Sequence, residues 1–392
     1  MRRALIPGAI VVVVVVAVAA QYLRPVAAVA GRPRAPRPPA GAPVQLPCPS
    51  AGGAAAAVGG IGMVGTCGSP APLPMYSTAK IMTALLVLRD HPISRGQGGP
   101  ELTISQAEVD RTAQESAADA SVVPVAAGEQ LSEQQVLEGL LIPSGNNFAE
   151  LLAGWDAGSV PAFVAKMNTA AAGLGLRRTH FDDPSGFSEK TVSVPIDLLK
   201  LARTAMEEPV LADIVGMATA DLPVAGTVYN VDAELGHHGV AGIKTGSAPH
   251  GSASFAGLSL KQVAGQPVAV YTAVMGLADL PAAFAATERM AEAIAGALVA
   301  WRVAPGDSVA AYDAPWGSSV AATPTAELTV ALWPGSRPRL QYELRPLAAG
   351  APSGTDAGTL TIAYGERIYE LKLVTNSRLS EPGRRYRLTR GF

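Results

Sequence analysis

Excess charge of either sign is missing from this chain. Its 30 lysines and arginines face 32 aspartates and glutamates over 392 residues, and only 16% of residues are charged. A general nucleic-acid binder would carry a basic excess, so that class is excluded. Cysteine is scarce: Cys48 and Cys67 alone cannot make a disulfide scaffold or a cysteine-rich zinc fold. The 41 glycines and 32 prolines follow no period, which excludes collagen-like and coiled-coil architectures. Lysine is also rare. There are seven, at 80, 166, 190, 200, 244, 261 and 372, so each one is informative.

Hydrophobic residues are plentiful at 48%, enough for a sizeable core and against a disordered chain. The length allows two or three domains. Residues 4–20 are apolar, with six valines from Val11 to Val16, and follow Arg2 and Arg3. A basic start and an apolar run read as an export signal or an uncleaved membrane anchor over residues 1–24. Ala27, Ala28 and Ala30 offer a cleavage site, while Arg24, Arg32, Arg34 and Arg37 blunt the usual positive-inside asymmetry. Residues 25–47 are rich in Pro, Ala, Gly and Arg and read as a semi-extended linker. Outside the cytoplasm Cys48 and Cys67 are expected to pair, facing each other across the ends of a weak 54–66 hairpin.

From 48 to 304 the pattern is mixed. Helices are expected at 75–88, 130–142, from 147, at 160–173, 195–207 and 282–302, and strands at 240–244, 253–260 and 268–275. This is an α/β (α+β) arrangement with an antiparallel sheet and a helical part. From 305 to 392 short β-rich runs at 326–332, 339–344, 359–363, 367–374 and 385–388 read as a small all-β domain.

Three motifs carry chemistry. Ser77 and Lys80 stand three apart at the start of the apolar 75–88 helix, on one face. A serine hydroxyl needs a base, and a buried lysine beside another positive charge can be that base. Ser144-Gly145-Asn146 offers a second hydroxyl for proton relay and a carboxamide suited to a peptide; equally, these residues could simply cap the next helix. Lys244-Thr245-Gly246 ends an apolar strand, where glycine permits close substrate approach and Lys and Thr can bind a carboxylate. Each motif occurs once, in this order, and their chance co-occurrence is about 0.01.

This triplet resembles the active site of penicillin-recognising serine enzymes. The wider chain is similar to the low-molecular-mass penicillin-binding proteins, the type 5 D-alanyl-D-alanine carboxypeptidases. The similarity lies in Ser77-Thr78-Ala79-Lys80-Ile81-Met82-Thr83, Ile142-Pro143-Ser144-Gly145-Asn146-Asn147, 175–181, Pro184-Ser185-Gly186-Phe187 and Gly242-Ile243-Lys244-Thr245-Gly246. Three features depart from the family pattern: Thr78-Ala79, Asn147 in place of the usual Asp, and Ser247-Ala248-Pro249-His250 after the third motif.

The resemblance implies a transpeptidase/beta-lactamase-like fold and a serine hydrolase acting in peptidoglycan synthesis outside the cytoplasm. Ser77, activated by Lys80, would attack the carbonyl between the last two D-alanines of a stem peptide. Backbone N–H groups of Ser77 and Ser247 would form the oxyanion hole. Ser144 and Lys244 would pass the proton to departing D-alanine, Asn146 would bind the substrate amide, and Lys244 with Thr245 its carboxylate. Beta-lactams would be covalent inhibitors. No cofactor or metal is expected, since His180, Asp182, Asp183, His237 and His238 lack metal-site spacing. A beta-lactamase, a transpeptidase and a catalytically silent extracytoplasmic binding protein stand as alternatives. Glu189 and Glu207 are the candidates for a beta-lactamase's deacylating glutamate.

Overall fold

The computed structural model describes residues 5–40 and 45–390. The chain divides into two compact units, one of Pro43–Leu298 and one of Met1–Ala42 with Val299–Phe392.

The larger unit is built on a five-stranded antiparallel sheet in the order Val240–Ala248, Ser252–Val263, Gln266–Leu277, Gly53–Val58, Gly62–Gly68. Its inner strands are buried nearly residue for residue, because both faces are covered. On one face lies helix Leu280–Ala297, where Phe284 meets Phe255 edge-on and Thr287 packs at Gly257. On the other, alanines 55, 57, 256 and 273 join the helical core. Their small side chains let helix Pro195–Ala205 lie close on the sheet. At the heart of the helical part is Lys80–Asp90, buried from Lys80 through Leu88. It packs among Glu133–Leu141, Asn146–Ala157 and Pro195–Ala205. Serines close several helix starts: Ser105 and Ser132 form capping boxes with Glu108 and Gln135.

The smaller unit carries a six-stranded antiparallel sheet ordered Arg32–Pro33, Ala310–Asp313, Ser319–Pro324, Arg367–Thr375, Asp356–Tyr364, Arg339–Leu344. A separate pair joins Val299–Val303 to Leu328–Leu332. Tyr312 is fully buried at its centre, its hydroxyl 2.9 Å from the carbonyls of Arg345 and Ala357.

Several expectations need correction. The 130–142 helix begins at Glu133, because Gln130–Ser132 pairs as a strand with Glu101–Thr103. The 282–302 helix stops at Ala297: Leu298 turns extended and the alternating Val299, Trp301 and Val303 enter the smaller unit, which therefore begins before 305. Residues 385–388 lie in a short helix, Arg384–Thr389, since arginine and leucine are good helix formers. The segment expected as a linker is partly held in place: Arg32 and Pro33 pair with Ala311 and Ala310, and Val29 bridges Leu347. The cysteines do not oppose one another in the hairpin. Ala54 stands across from Cys67, and Cys48 reaches Cys67 from the preceding loop to form the disulfide. Among the described residues no helix is long and apolar enough to cross a membrane. Helix Leu5–Leu23 has side chains described from Ile10 onward, and Ile10 to Val16 are exposed.

Candidate active site

Tyr76–Ala79 forms a 3-10 turn that leads directly into the buried helix starting at Lys80. The apolar run from Ile81 to Leu88 anchors that helix in the core, so the Ser77–Lys80 pair sits on a rigid base. Tyr76 enters the turn in the left-handed region at φ 49°. Gly186 explains how this is held. A Cβ there would stand 1.8 Å from the Tyr76 carbonyl oxygen, so only glycine lets the 184–187 loop close over the turn.

Lys80 is completely buried, and its Nζ is the hub of the site. It donates to Ser77 Oγ at 2.7 Å, to Asn146 Oδ1 at 2.6 Å and to the Ser185 carbonyl at 3.2 Å, with Ser144 Oγ at 3.5 Å. Burial, and then the positive charge of Lys244, push its pKa well below the usual lysine range, against a smaller upward pull from Asp183 and Glu115. A lysine so placed gives up its proton easily and can then accept that of Ser77, which is itself partly exposed to the cleft.

Ser144 is not a helix cap. The helix Asn146–Ala157 has Gly145 at its N-cap and no side-chain cap bond. Ser144 instead adopts φ 68°, a strained conformation for a serine, and presents its hydroxyl to Lys80. Asn146 is likewise committed to Lys80, while its backbone N–H donates to the Ser121 carbonyl at 2.7 Å. Asn147, where the family more often has Asp, is buried and ties in the loop ahead of it. It accepts from the Val123 N–H at 3.0 Å, and its amide donates to the Val123 carbonyl and to Thr112.

The third motif lies on Val240–Ala248, the outermost strand of the sheet. Lys244 and Thr245 are buried and Ser247 is exposed at the strand's far end. Gly246 is required by closeness: an added Cβ would lie 2.8 Å from the Met75 carbonyl oxygen and 3.0 Å from the Ser77 and Thr78 nitrogens. The strand edge and the turn that carries Ser77 therefore run in backbone contact. Burial lowers the Lys244 pKa to about 7, opposed by Asp232. Asp232 is itself buried and pushed up to about 6; one of its oxygens accepts from the Glu234 N–H and the other has no partner among the described residues.

Ser77, Ser144 and Asn146 thus meet at the Lys80 amine with the Lys244-Thr245-Gly246 strand against the Ser77 turn, whereas the cysteine pair belongs to the opposite edge of the sheet. Among the described residues, no group of three or more His, Cys, Asp or Glu side chains could hold a metal ion. Sequence reasoning gave Asp183, Ser185 and Gly186 no role in the site. Here Asp183 accepts from Ser185 N–H and Oγ, Phe187 N–H and Thr191 Oγ1, and Pro184 O accepts from Thr83 Oγ1 at 2.6 Å. This network aims the Ser185 carbonyl at Lys80. The run Pro184-Ser185-Gly186-Phe187 was its only trace in the sequence.

The sequence profile described as D-alanyl-D-alanine carboxypeptidase matches residues 69–277. A D-alanyl-D-alanine carboxypeptidase of Streptomyces sp. strain K15 is 33% identical over 190 residues, which are 44% of this chain and 63% of the relative. DacB2 of Mycobacterium tuberculosis, also called a D-alanyl-D-alanine carboxypeptidase, is 32% identical over 195 residues, 48% of this chain and 62% of the relative. The chain thus covers less than two thirds of either curated relative. The crystal structure of the Streptomyces K15 DD-transpeptidase superposes with a TM-score of 0.55 at 31% identity, over 64% of this chain and 100% of that one. Penicillin binding protein 5 of Haemophilus influenzae reaches a TM-score of 0.59 over 87% of this chain and 100% of its own, at 18% identity, which speaks for the fold alone. Ser77, Ser144 and Lys244 all fall inside the stretch matched by the profile, and with more than half of its length so matched the chain belongs to the D-alanyl-D-alanine carboxypeptidase family.

Proposed function

We propose that the protein is a serine-type D-alanyl-D-alanine carboxypeptidase that trims peptidoglycan stem peptides. The observation that carries this reading is the wholly buried Lys80, its Nζ 2.7 Å from Ser77 Oγ and its charge disfavoured by burial and by Lys244. Neutral Lys80 takes the Ser77 proton as Oγ attacks the carbonyl carbon between the last two D-alanines. The oxyanion that forms is held by the Ser77 and Ser247 backbone N–H groups. The C–N bond breaks, and the proton returns through Ser144 and Lys244 to the departing D-alanine amine. Water then hydrolyses the Ser77 ester. Asn146 holds the substrate amide, and Lys244 with Thr245 its terminal carboxylate.

The test is release of D-alanine from a peptide ending in D-Ala-D-Ala, together with labelling by a fluorescent penicillin, for wild type and Ser77→Ala. Release and stable label on wild type alone are expected. A folded wild type that takes no label would replace the enzyme with a peptide-binding protein. Rapid penicillin turnover would point to a beta-lactamase. A transpeptidase is the second reading, favoured by the name of the K15 enzyme, a DD-transpeptidase; an added amine acceptor would then capture the acyl group in place of water.

The protein is placed outside the cytoplasm in this reading. The Cys48–Cys67 disulfide suits an oxidising compartment. The exposed Ile10–Val16 surface of the first helix suits insertion into a membrane, as an anchor or as a signal before cleavage.

A further inference from the structure

The first helix ends at Leu23 and is met there by the last one. Arg384–Thr389 packs on Leu5–Leu23, and Arg387 lies over the Tyr22 ring at 5.6 Å. Arg390 ties the two ends together. Its guanidinium donates to the carbonyls of Arg24 and Pro25, and its carbonyl accepts from Gln21 Nε2 at 2.7 Å. Beside this junction opens a cleft of about 450 Å³. Its walls include Arg24, Arg32 and Arg390, together with Trp316 and Tyr386, whose rings stand 5.5 Å apart. Asp313 is the one carboxylate lining it, and that group already accepts the Ser319 hydroxyl at 2.6 Å. Exposed Arg384 and Arg385 continue the positive surface, and nearby Glu381 lies 3.7 Å from Arg387.

We infer that this cleft binds the phosphodiester headgroup of an anionic phospholipid, at the membrane surface beside the apolar helix. The inference rests on the membrane reading of that helix. Its logic is charge and depth. The Ile10–Val18 surface is fit for acyl chains, and Tyr22, Tyr386 and Trp316 sit where aromatic side chains favour the interface. Immediately beyond them, arginines are gathered without an equal number of acids. Guanidinium groups pair with phosphate in a fork, the cationic choline of a zwitterionic headgroup is repelled by the gathered arginines where an anionic headgroup is not, and each arginine near an anionic surface adds to binding. Arg390 Nε, buried without a partner among the described residues, leaves one donor of the set unspent.

The test uses the full chain in detergent, with its uncut N-terminus. Equal amounts of phosphatidylglycerol and phosphatidylcholine are added, and lipid retained by the protein is counted by native mass spectrometry. Phosphatidylglycerol is expected to be retained roughly tenfold over phosphatidylcholine, with the preference lost in Arg24→Gln/Arg32→Gln. Arg24→Lys/Arg32→Lys should keep most of it, which separates lost charge from a misfolded cleft. Equal retention of the two lipids, undiminished retention by the Gln variant, or equal competition by free glycerol phosphate would overturn the headgroup site alone. A full chain that stays in the aqueous phase with vesicles of either lipid would overturn the membrane reading as well.

Discussion

Lys80 Nζ stands 2.7 Å from Ser77 Oγ, one helical turn away and sealed from water, while a second lysine, Lys244, presses on it electrostatically from the neighbouring strand. The two lysines need opposite charge states. In the proposed mechanism Lys80 is neutral, as the base, and Lys244 charged, as the carboxylate binder. Acylation should therefore rise with pH as Lys80 loses its proton and fall as pH passes about 7 and Lys244 loses its own. A bound substrate carboxylate favours the charged Lys244, so the alkaline limb of kcat should lie above that of kcat/KM. Asp232 holds the Lys244 pKa up, and Asp232→Asn should move the alkaline limb of kcat/KM to lower pH. An unmoved limb in the Asp232→Asn variant would deny that coupling. Lys80→Met should slow penicillin labelling by roughly 10²–10⁴-fold at every pH.

Gly246→Ala tests the backbone contact between strand and nucleophile turn. Its Cβ would press on Met75, Ser77 and Thr78 backbone atoms, none of which can swing aside. We expect the strand edge to move and acylation to slow by about 10²-fold, with the fold retained. Stopped-flow labelling beside a thermal melt separates the two effects, and an unchanged labelling rate would show the contact to be dispensable.

Glu133 offers a stability test remote from chemistry. It is fully buried at the start of its helix, and neither carboxylate oxygen has a partner among the described residues. Burial raises its pKa to about 7, against about 4.3 in the unfolded chain. The folded protein thus keeps a proton that the unfolded chain releases, so this group's contribution to stability falls as pH rises across that window and levels off above it. Glu133→Gln should be more stable than wild type by about 1–3 kcal/mol at pH 8 and no more stable at pH 4. Urea melts at both values decide it. The wild-type profile alone would not, because burial also raises Glu115 to about 7 and Asp232 to about 6, and both share the slope.

The Cys48–Cys67 link closes a loop with a sequence separation of 19 at the edge of the sheet. Its removal in Cys48→Ser/Cys67→Ser should cost about 3 kcal/mol, a fall in Tm on the order of 10 °C. A melt of wild type with and without reductant provides the same comparison, and identical midpoints would leave the link without a stabilising role.

Much of the site was legible because its parts are local. Ser77 and Lys80 are one turn apart, and Lys244-Thr245-Gly246 is contiguous, so spacing and residue type suffice. The geometry that makes them work is not local. Lys80 meets the Ser185 carbonyl across 105 residues of chain, and the left-handed turn at Tyr76 depends on a glycine at 186. Helices bounded by proline or serine, such as Val160–Gly173, read true at both ends. Boundaries set by tertiary pairing did not: at Ala297 and Glu133 an alanine-rich or glutamine-rich run gives no hint of the strand beside it.

Being the outermost strand, Val240–Ala248 leaves backbone groups open on one side, the kind of surface on which a second copy of a protein can stack. Only part of it is usable. The ladder slips between Val240 and Ile243, Gly242 turns to φ 121°, and helix Pro209–Val215 crowds it there. The stretch around Lys244–Gly246 lies instead against the turn that carries Ser77. The same packing that brings this strand against the Ser77 turn leaves a second copy little free edge to pair with.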